Sequence, residues 1–264
     1  MRLLLVSSKT ISWDRCLARY IAPFSCVLMH RTLSSRVTEA LIQSGSNMNV
    51  YDLSANNSVL HQYMKELRSV EIQGDSMRFR RNIARIANIM AYEISKHFAY
   101  QVEDVVTPLG VAPIPIATNR VVLGTILRAG LPFHQGFLDV FDRAENAFVS
   151  AYRKYIDTVN FDIHIEYIAS PDLNEKTLIL SDPMLATGGS MELAYKALLT
   201  KGRPVHTHLV ALIASRQAID YIQSHITDDN VTLWVASVDD VLNEHSYIVP
   251  GLGDAGDLAF GEKL

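Results

Sequence analysis

The sequence predicts an α/β protein, a mostly parallel sheet flanked by helices, preceded by a short N-terminal extension. Two observations predict it. From residue 120 onward, strand-like segments alternate with helix-like ones, the pattern of a parallel sheet covered by helices. The stretch "LILSDPMLATGGSMELAYKALL" (178–199) joins a strand to a helix through a glycine-rich loop, at the place where such sheets bind ligands. A chain of 264 residues that is 48% hydrophobic is also long enough to bury a substantial core.

Taken in order, residues 1–47 show no sustained periodicity, and "QSGSN" (43–47) reads as a linker. Two readings stand for them: a small ordered appendage, or a chain start written upstream of an initiator at Met48. The domain proper is expected over 48–264. "SMRFRRNIARIANIMAYEISKHF" places Phe79, Ile83, Ile86, Ala87, Met90 and Ile94 at helical spacing, with Ser76 as N-cap. Its arginines, Arg78, Arg80, Arg81 and Arg85, read as a solvated face. The three prolines of 105–117 argue against a regular helix there. "RVVLGTIL" (120–127), "AFVSAY" (147–152), "FDIHIEYI" (161–168), "KTLILS" (176–181), "THLVALIA" and "VTLWVAS" read as strands. Between the later strands, "SMELAYKALLTKGRP" is helical with Met191, Ala194, Tyr195 and Leu198 on one face. Gly202 and Pro204 stop it. "SRQAIDYIQSH" is the last of these helices.

Composition excludes several classes. The net charge of −4 argues against general nucleic-acid binding, which shows as a basic domain. No apolar run approaches the roughly 20 residues needed to cross a bilayer, and "MRLLLVSSK" is too short an apolar stretch for a secretory signal. A cytoplasmic location is the expectation. Cys16 and Cys26 form no C-x-x-C pair. His206 and His208 share a strand face without a third ligand in view, so they read as packing residues, as do Trp13 and Trp234. No protein metal site is expected.

The loop after the 176–181 strand carries the chemistry. Asp182-Pro183-Met184-Leu185 is followed by Ala186-Thr187-Gly188-Gly189-Ser190 and then a helix. Glycines let several backbone N–H groups turn inward without a Cβ in the way. With the Thr187 and Ser190 hydroxyls and the helix N-terminus, they form a cradle for phosphate. Each such dipole contributes about 0.3–2 kcal/mol, so several must act together. The spacing is neither G-x-x-x-x-G-K-[ST] nor G-x-G-x-x-G, which sets aside triphosphatase and dinucleotide loops. Asp182, an acceptor-only carboxylate, suits sugar hydroxyls. A sugar phosphate is the implied ligand.

"LSDPMLATGGS" resembles the phosphoribosyl-pyrophosphate loop of the uracil phosphoribosyltransferases, whose Asp-Pro-Met form is particular to them. "ILRAGLPF" (126–133), "AYRKY" (151–155) and "DVLNEHSYIVPGLGDAGDLAFG" (240–261) are similar to three further family segments in the expected order. The likeness runs from about residue 75 to the end and does not cover 1–47. It implies the type I phosphoribosyltransferase fold and transfer of phosphoribose from phosphoribosyl pyrophosphate to uracil in pyrimidine salvage. It also implies magnesium chelated mainly by the donor's oxygens, and a homodimer or higher homo-oligomer. GTP is raised as an effector.

Carried over by position, Arg128 and Arg153 are expected at the donor's diphosphate, and Asp182 to Ser190 at its ribose and 5′-phosphate. Ile248, Gly253, Asp254 and Ala255 are expected around uracil, with Asp254 also near the donor. Arg128, Asp182 and Asp254 are the expected catalytic residues. Such a reaction builds positive charge on ribose and negative charge on pyrophosphate. Arginine's planar fork suits the phosphate oxygens, and fixed charge aimed at the developing charge is expected to dominate catalysis.

The chain also departs from the family pattern. Lys154 stands where the family has Asn or Asp, and "YIDTVNFDIHIEY" differs from the usual Glu-rich hood, which bears on loop closure and on GTP. Pro132-Phe133-His134 replaces Gly-Met-Met. Two rival functions share the fold: a pyrimidine-nucleotide-binding regulator of RNA, and an enzyme using another base. The acidic charge and the "IVPGLGDAGD" loop weigh against them.

Overall fold

The structure is a computed structural model that describes residues 40–41, 48–155 and 161–263; for 40–41, 151–155 and 161–165 the backbone alone is described. Trp13, Cys16 and Cys26 lie outside the described residues. Those described belong to one compact unit.

The chain enters by the short strands β1 (Ala40–Leu41) and β2 (Asn49–Asp52) and passes through α1 (Leu60–Arg68) and α2 (Ser76–Ser95). A hairpin, β3 (Tyr100–Thr107) and β4 (Gly110–Ala117), stands apart from the main sheet. Then come β5 (Val121–Leu127), α3 (Gly130–Val140), β6 (Glu145–Tyr155), β7 (Phe161–Ala169) and β8 (Thr177–Leu185). These are followed by α4 (Gly189–Leu198), β9 (His206–Ser215), α5 (Arg216–His225) and β10 (Val231–Val235). The last elements are short: β11 (Val238–Asp239), β12 (Val241–Leu242), β13 (Ile248–Val249) and α6 (Ala255–Phe260).

The main sheet has the order β1-β2-β10-β9-β8-β5-β6-β7, with β11 beside β9. Every pairing from β2 to β6 along that order is parallel; β1 and β7 join the two edges antiparallel. This is the predicted architecture. Its core is double. On one face Leu123, Ile179, Val210 and Leu212 pack with Phe79, Ile83, Met90 and Phe137 of α2 and α3. On the other, Leu178, Leu180, Leu209 and Ala211 pack with Met191, Ala194, Ile219 and Ile222 of α4 and α5. Alternate residues of one strand thus serve opposite cores, and strands buried on both faces read as continuous apolar runs rather than alternation.

Several expectations are refined. The six apolar residues picked out on α2 are all buried, but its cap is Asp75, whose carboxylate accepts from the Arg78 N–H at 3.0 Å; Ser76 is the first helical residue. The α2 arginines are not a plain solvated face. Arg80 donates to the Ala259 carbonyl (2.6 Å), Arg78 pairs with Glu66 (3.3 Å), and Arg85 lies over the Tyr63 ring. The proline-containing stretch is the hairpin, and Pro113 and Pro115 sit in β4, which among the described residues has no second neighbour to demand their missing N–H. Strand β8 runs to Leu185, so the backbone stays extended through Asp182-Pro183-Met184. Trp234 is fully buried, stacked on Tyr51, and donates through Nε1 to Nδ1 of the buried His208 (3.1 Å). His206 bonds the Thr232 hydroxyl.

Candidate active site

Strands β5 and β8 are neighbours, but the chain leaves them in opposite directions, through α3 to β6 on one side and through α4 to β9 on the other. Their carboxyl ends therefore open a crevice at the topological switch point, where α/β sheets take ligands. The register pairs Thr125 with Ser181, and the Ser181 hydroxyl donates to the Gly124 carbonyl (3.1 Å). Arg128 comes three residues after one partner and Asp182 one after the other, so both leave the carboxyl ends of adjoining strands. The Leu127–Arg128 peptide is cis.

The loop beyond β8 is held from behind. Asp182 Oδ1 accepts from the Met184 N–H at 3.1 Å. The buried Ser215 hydroxyl donates to the Ala186 carbonyl (2.6 Å) while accepting from the Ala218 N–H, tying the loop to the cap of α5. Gly188 is left-handed at φ +90°, and a Cβ there would lie 2.6 Å from the Tyr221 ring. Both conformation and space demand glycine. Among the described residues no side chain caps α4, which leaves its first-turn N–H groups open to a ligand. Behind this turn, Glu192 accepts from Tyr221 Oη and Lys196 Nζ, each at 2.6 Å. Burial works to raise the Glu192 pKa, but those two hydrogen bonds outweigh it and hold the carboxyl below the ordinary glutamate value.

The C-terminal segment closes the crevice. Arg128 Nη2 lies 2.8 Å from Asp257 Oδ1, and a Cβ on Gly256 would be 3.5 Å from the same nitrogen. Asp254 caps α6 by accepting from the Gly256 and Asp257 N–H groups (2.9 and 3.0 Å), and its other oxygen lies 3.5 Å from Lys263 Nζ. Ala255 and Ile248 are buried; Gly253 is exposed at φ +89°. Arg80, reaching the Ala259 carbonyl from α2, steadies the same helix.

Arg128, the 182–190 loop and the 253–257 segment are thus brought together from three distant parts of the chain. Arg153 lies on β6, where only the backbone is described. Asp257, and Arg68 at the end of α1, were not singled out from sequence. Asp257 stands inside the quoted "GDAGD" and could have been found there, whereas Arg68 offers no local signal.

A family model for uracil phosphoribosyltransferase matches residues 54–262. The chain belongs to that family. A uracil phosphoribosyltransferase from Porphyromonas gingivalis is 64% identical over 217 residues, 82% of this chain and 100% of the relative. One from Methanothermobacter thermautotrophicus is 39% identical over 75% of this chain and 90% of its own length. Among solved structures, the AQ2163 protein from Aquifex aeolicus aligns with a TM-score of 0.71 at 28% identity, over 80% of this chain and 98% of that one. In this uracil phosphoribosyltransferase family member, the family's loop and C-terminal motifs are the segments that meet at the switch point.

Proposed function

We propose that this chain transfers phosphoribose from phosphoribosyl pyrophosphate to N1 of uracil, releasing pyrophosphate and forming uridine monophosphate. The observation that carries the reading is the convergence of Arg128, the 182–190 loop and the 253–257 segment at one crevice. The open first turn of α4 and the Thr187 and Ser190 hydroxyls receive the 5′-phosphate. Asp182 accepts from ribose hydroxyls. Arg128, held from below by Asp257, turns its guanidinium to the diphosphate, where negative charge grows as the C1–O bond breaks. Arg153 is assigned to the same end. Asp254, with one oxygen committed to the cap of α6, fits orienting the base better than removing its proton. The bond from N1 to C1 forms as the pyrophosphate oxygen departs, and the N1 proton leaves with solvent or product.

Magnesium fits this arrangement as a companion of the donor. Asp182 is the one carboxylate of the 182–190 loop, and Pro183 beside it is buried and offers no donor. Asp182 would hold the hydrated ion near the ribose, where the ion supplies neutralisation of the diphosphate. A GTP effector and a homo-oligomer belong to the same proposal through the family resemblance. A cytoplasmic location fits as well: among the described residues, no helix is long and apolar enough to cross a membrane.

The test is product formation from phosphoribosyl pyrophosphate with each nucleobase in turn, with and without GTP and magnesium. Uridine monophosphate from uracil alone is the expected outcome; turnover of another base, or RNA binding without turnover, overturns it.

A further inference from the structure

Residue Arg68, the last of α1, lies outside every segment assigned above. Its guanidinium nevertheless reaches across the molecule into the base loop. Nη1 and Nη2 donate to the two oxygens of Asp239, each at 2.8 Å. Nη2 also donates to the Ser237 hydroxyl (2.9 Å), and Nη1 to the Gly251 carbonyl (3.1 Å). Asp239 Oδ2 in turn accepts from the Gly251 N–H at 2.8 Å. Guanidinium, carboxylate and both peptide groups of Gly251 therefore close a ring. The pair is well covered, with 24% of the Arg68 side chain and 7% of Asp239 exposed.

Gly251 is at φ +60°, and a Cβ there would lie 2.1 Å from the Ile248 carbonyl oxygen, so the turn is tight as well as tethered. One residue further, the Gln73 amide faces the Leu252 and Leu67 carbonyls, and the orientation that satisfies it turns its nitrogen to donate to both (2.8 and 3.0 Å). The end of α1 and the turn after it thus hold two consecutive residues of the loop by their backbone. Gly251 and Leu252 have spent these groups on the scaffold. What is left to meet a ligand is the exposed Gly253 and the residues after it.

We infer that Arg68, with Asp239 and Gln73, is a positioning residue for base recognition, setting where the Gly253–Ala255 backbone stands relative to the ring it reads. The inference rests on the proposed reading of 248–255 as the uracil loop. The loop's own strand pairing is short, two residues each from β12 and β13, and the apolar burial of Ile248, Leu252 and Ala255 carries no direction, so the polar tether is what fixes the backbone's orientation. A surface arginine needs only one carboxylate to be satisfied. This one distributes its fork over Asp239, Ser237 and Gly251, and the shared acceptor binds the same glycine. Recognition by hydrogen bonds tolerates about 0.5 Å of misplacement, so a tether on the residues before the reading groups governs affinity for the base. Neither Arg68 nor Gln73 bonds to the phosphate cradle at the end of β8; Asp239 comes near it only through the backbone pairing of β11 with Ser215, so the variants are made at Arg68 and Gln73 and not at Asp239.

The experiment measures kcat and KM for both substrates in the full chain, with Arg68→Lys, Arg68→Gln and Gln73→Ala. A stability control, Ile222→Val, lies in the opposite core. Lysine keeps the charge but not the fork, so the uracil KM should rise about tenfold in Arg68→Lys and more in Arg68→Gln, the order expected for a fraction of an ångström of misplacement. Gln73→Ala should give a smaller rise of the same kind. The donor KM should stay within about twofold in all of them, and the preference for uracil over cytosine should narrow along the same series. Equal losses on both substrates, an unchanged uracil KM, or losses matched by Ile222→Val at the same fall in melting temperature overturn the inference. If Arg68→Gln is insoluble, Arg68→Lys and Gln73→Ala decide alone. A parent protein that does not use uracil at all overturns the proposed function instead, so the two failures are distinct.

Discussion

At the scale of single residues, the site's demands can be separated by what each atom does. In the proposed reading Arg128 acts on charge that appears only as the C1–O bond breaks, so Arg128→Ala should lower kcat by about 100-fold or more while the uracil KM moves little. Steady-state kinetics with varied uracil checks this, and an unchanged kcat removes Arg128 from the diphosphate. Asp182→Asn replaces an acceptor-only carboxylate by an amide that must turn one N–H toward the ribose. The donor KM should rise about tenfold, the scale of a lost charged hydrogen bond. Gly188→Ala meets both a left-handed backbone and the Tyr221 ring. It should cost at least about 1–2 kcal/mol of stability and weaken the donor before the base. Denaturant unfolding and the two KM values read the two effects separately.

At the scale of elements, the caps and tethers decide how precisely the ends of β5 and β8 are held. Asp75→Ala removes the α2 cap and should cost about 1 kcal/mol by denaturant unfolding, whereas Ser76→Ala should cost far less. Near-equal costs would return the cap to Ser76. In the proposed reading the C-terminal loop recognises its base with backbone groups, and uracil presents two carbonyls flanking an N–H. Cytosine reverses the pairing at two of those three places, and each buried mismatch costs about 1–3 kcal/mol. A uracil preference of roughly 10⁴-fold or greater follows. Ile248→Val should leave that preference intact, while Gly253→Val, forcing a β-branched side chain to φ +89°, should collapse uracil use. Comparable rates with both bases in the parent protein would end the backbone-readout account.

At the scale of the whole molecule, pH and the N-terminal boundary are the informative variables. Burial pushes the His208 pKa down to about 3, helped by the neighbouring His206 and His97. Its Nδ1 accepts from Trp234, which requires that nitrogen unprotonated. The unfolded chain takes up a proton near the ordinary value of 6.5. Stability is therefore full above about pH 6.5 and falls as pH drops from there toward 3, by at most about 2 kcal/mol by pH 5. Thermal unfolding across this range should show the decline, and His208→Gln should flatten it; a parallel decline in the variant assigns the effect elsewhere. Asp239 adds to the acid side. Burial works to raise its pKa, but Arg68 and the Gly251 N–H hold it below the ordinary aspartate value. That contribution is complete above about pH 4 and is lost as pH falls further. A protein beginning at Met48 keeps β2 and loses β1, its antiparallel neighbour. Soluble protein with full turnover is expected; aggregation, or loss of donor binding, places the preceding residues inside the fold.

The sequence by itself determined the six main strands between residues 120 and 237, the helices α4 and α5 between the later ones, the apolar face of α2 and the glycine-rich loop after β8; α3, β11 to β13 and α6 were not read from it. Each is a local matter, since periodicity, glycine placement and helix stops act between residues a few positions apart. The base loop was legible for a different reason: its long run of motif residues carries a family likeness. What the sequence did not determine was which ends would meet. Arg128 and Asp182 sit at the same end of the sheet because β5 pairs in parallel with β8, a choice made by sheet packing over the whole domain. The α2 arginines looked like a solvated face because helical spacing says nothing about α6, which arrives some 180 residues later to meet Arg80. The cap of α2 passed to Asp75 because both residues are good caps and local pattern could not choose between them. Arg68 was the least legible of all. A lone basic residue ending a short helix is locally ordinary, and its three partners lie 169, 171 and 183 residues away. Only tertiary packing brings an arginine to a loop that far along the chain, because hydrogen-bond partners are selected by distance in space and periodicity records distance in sequence.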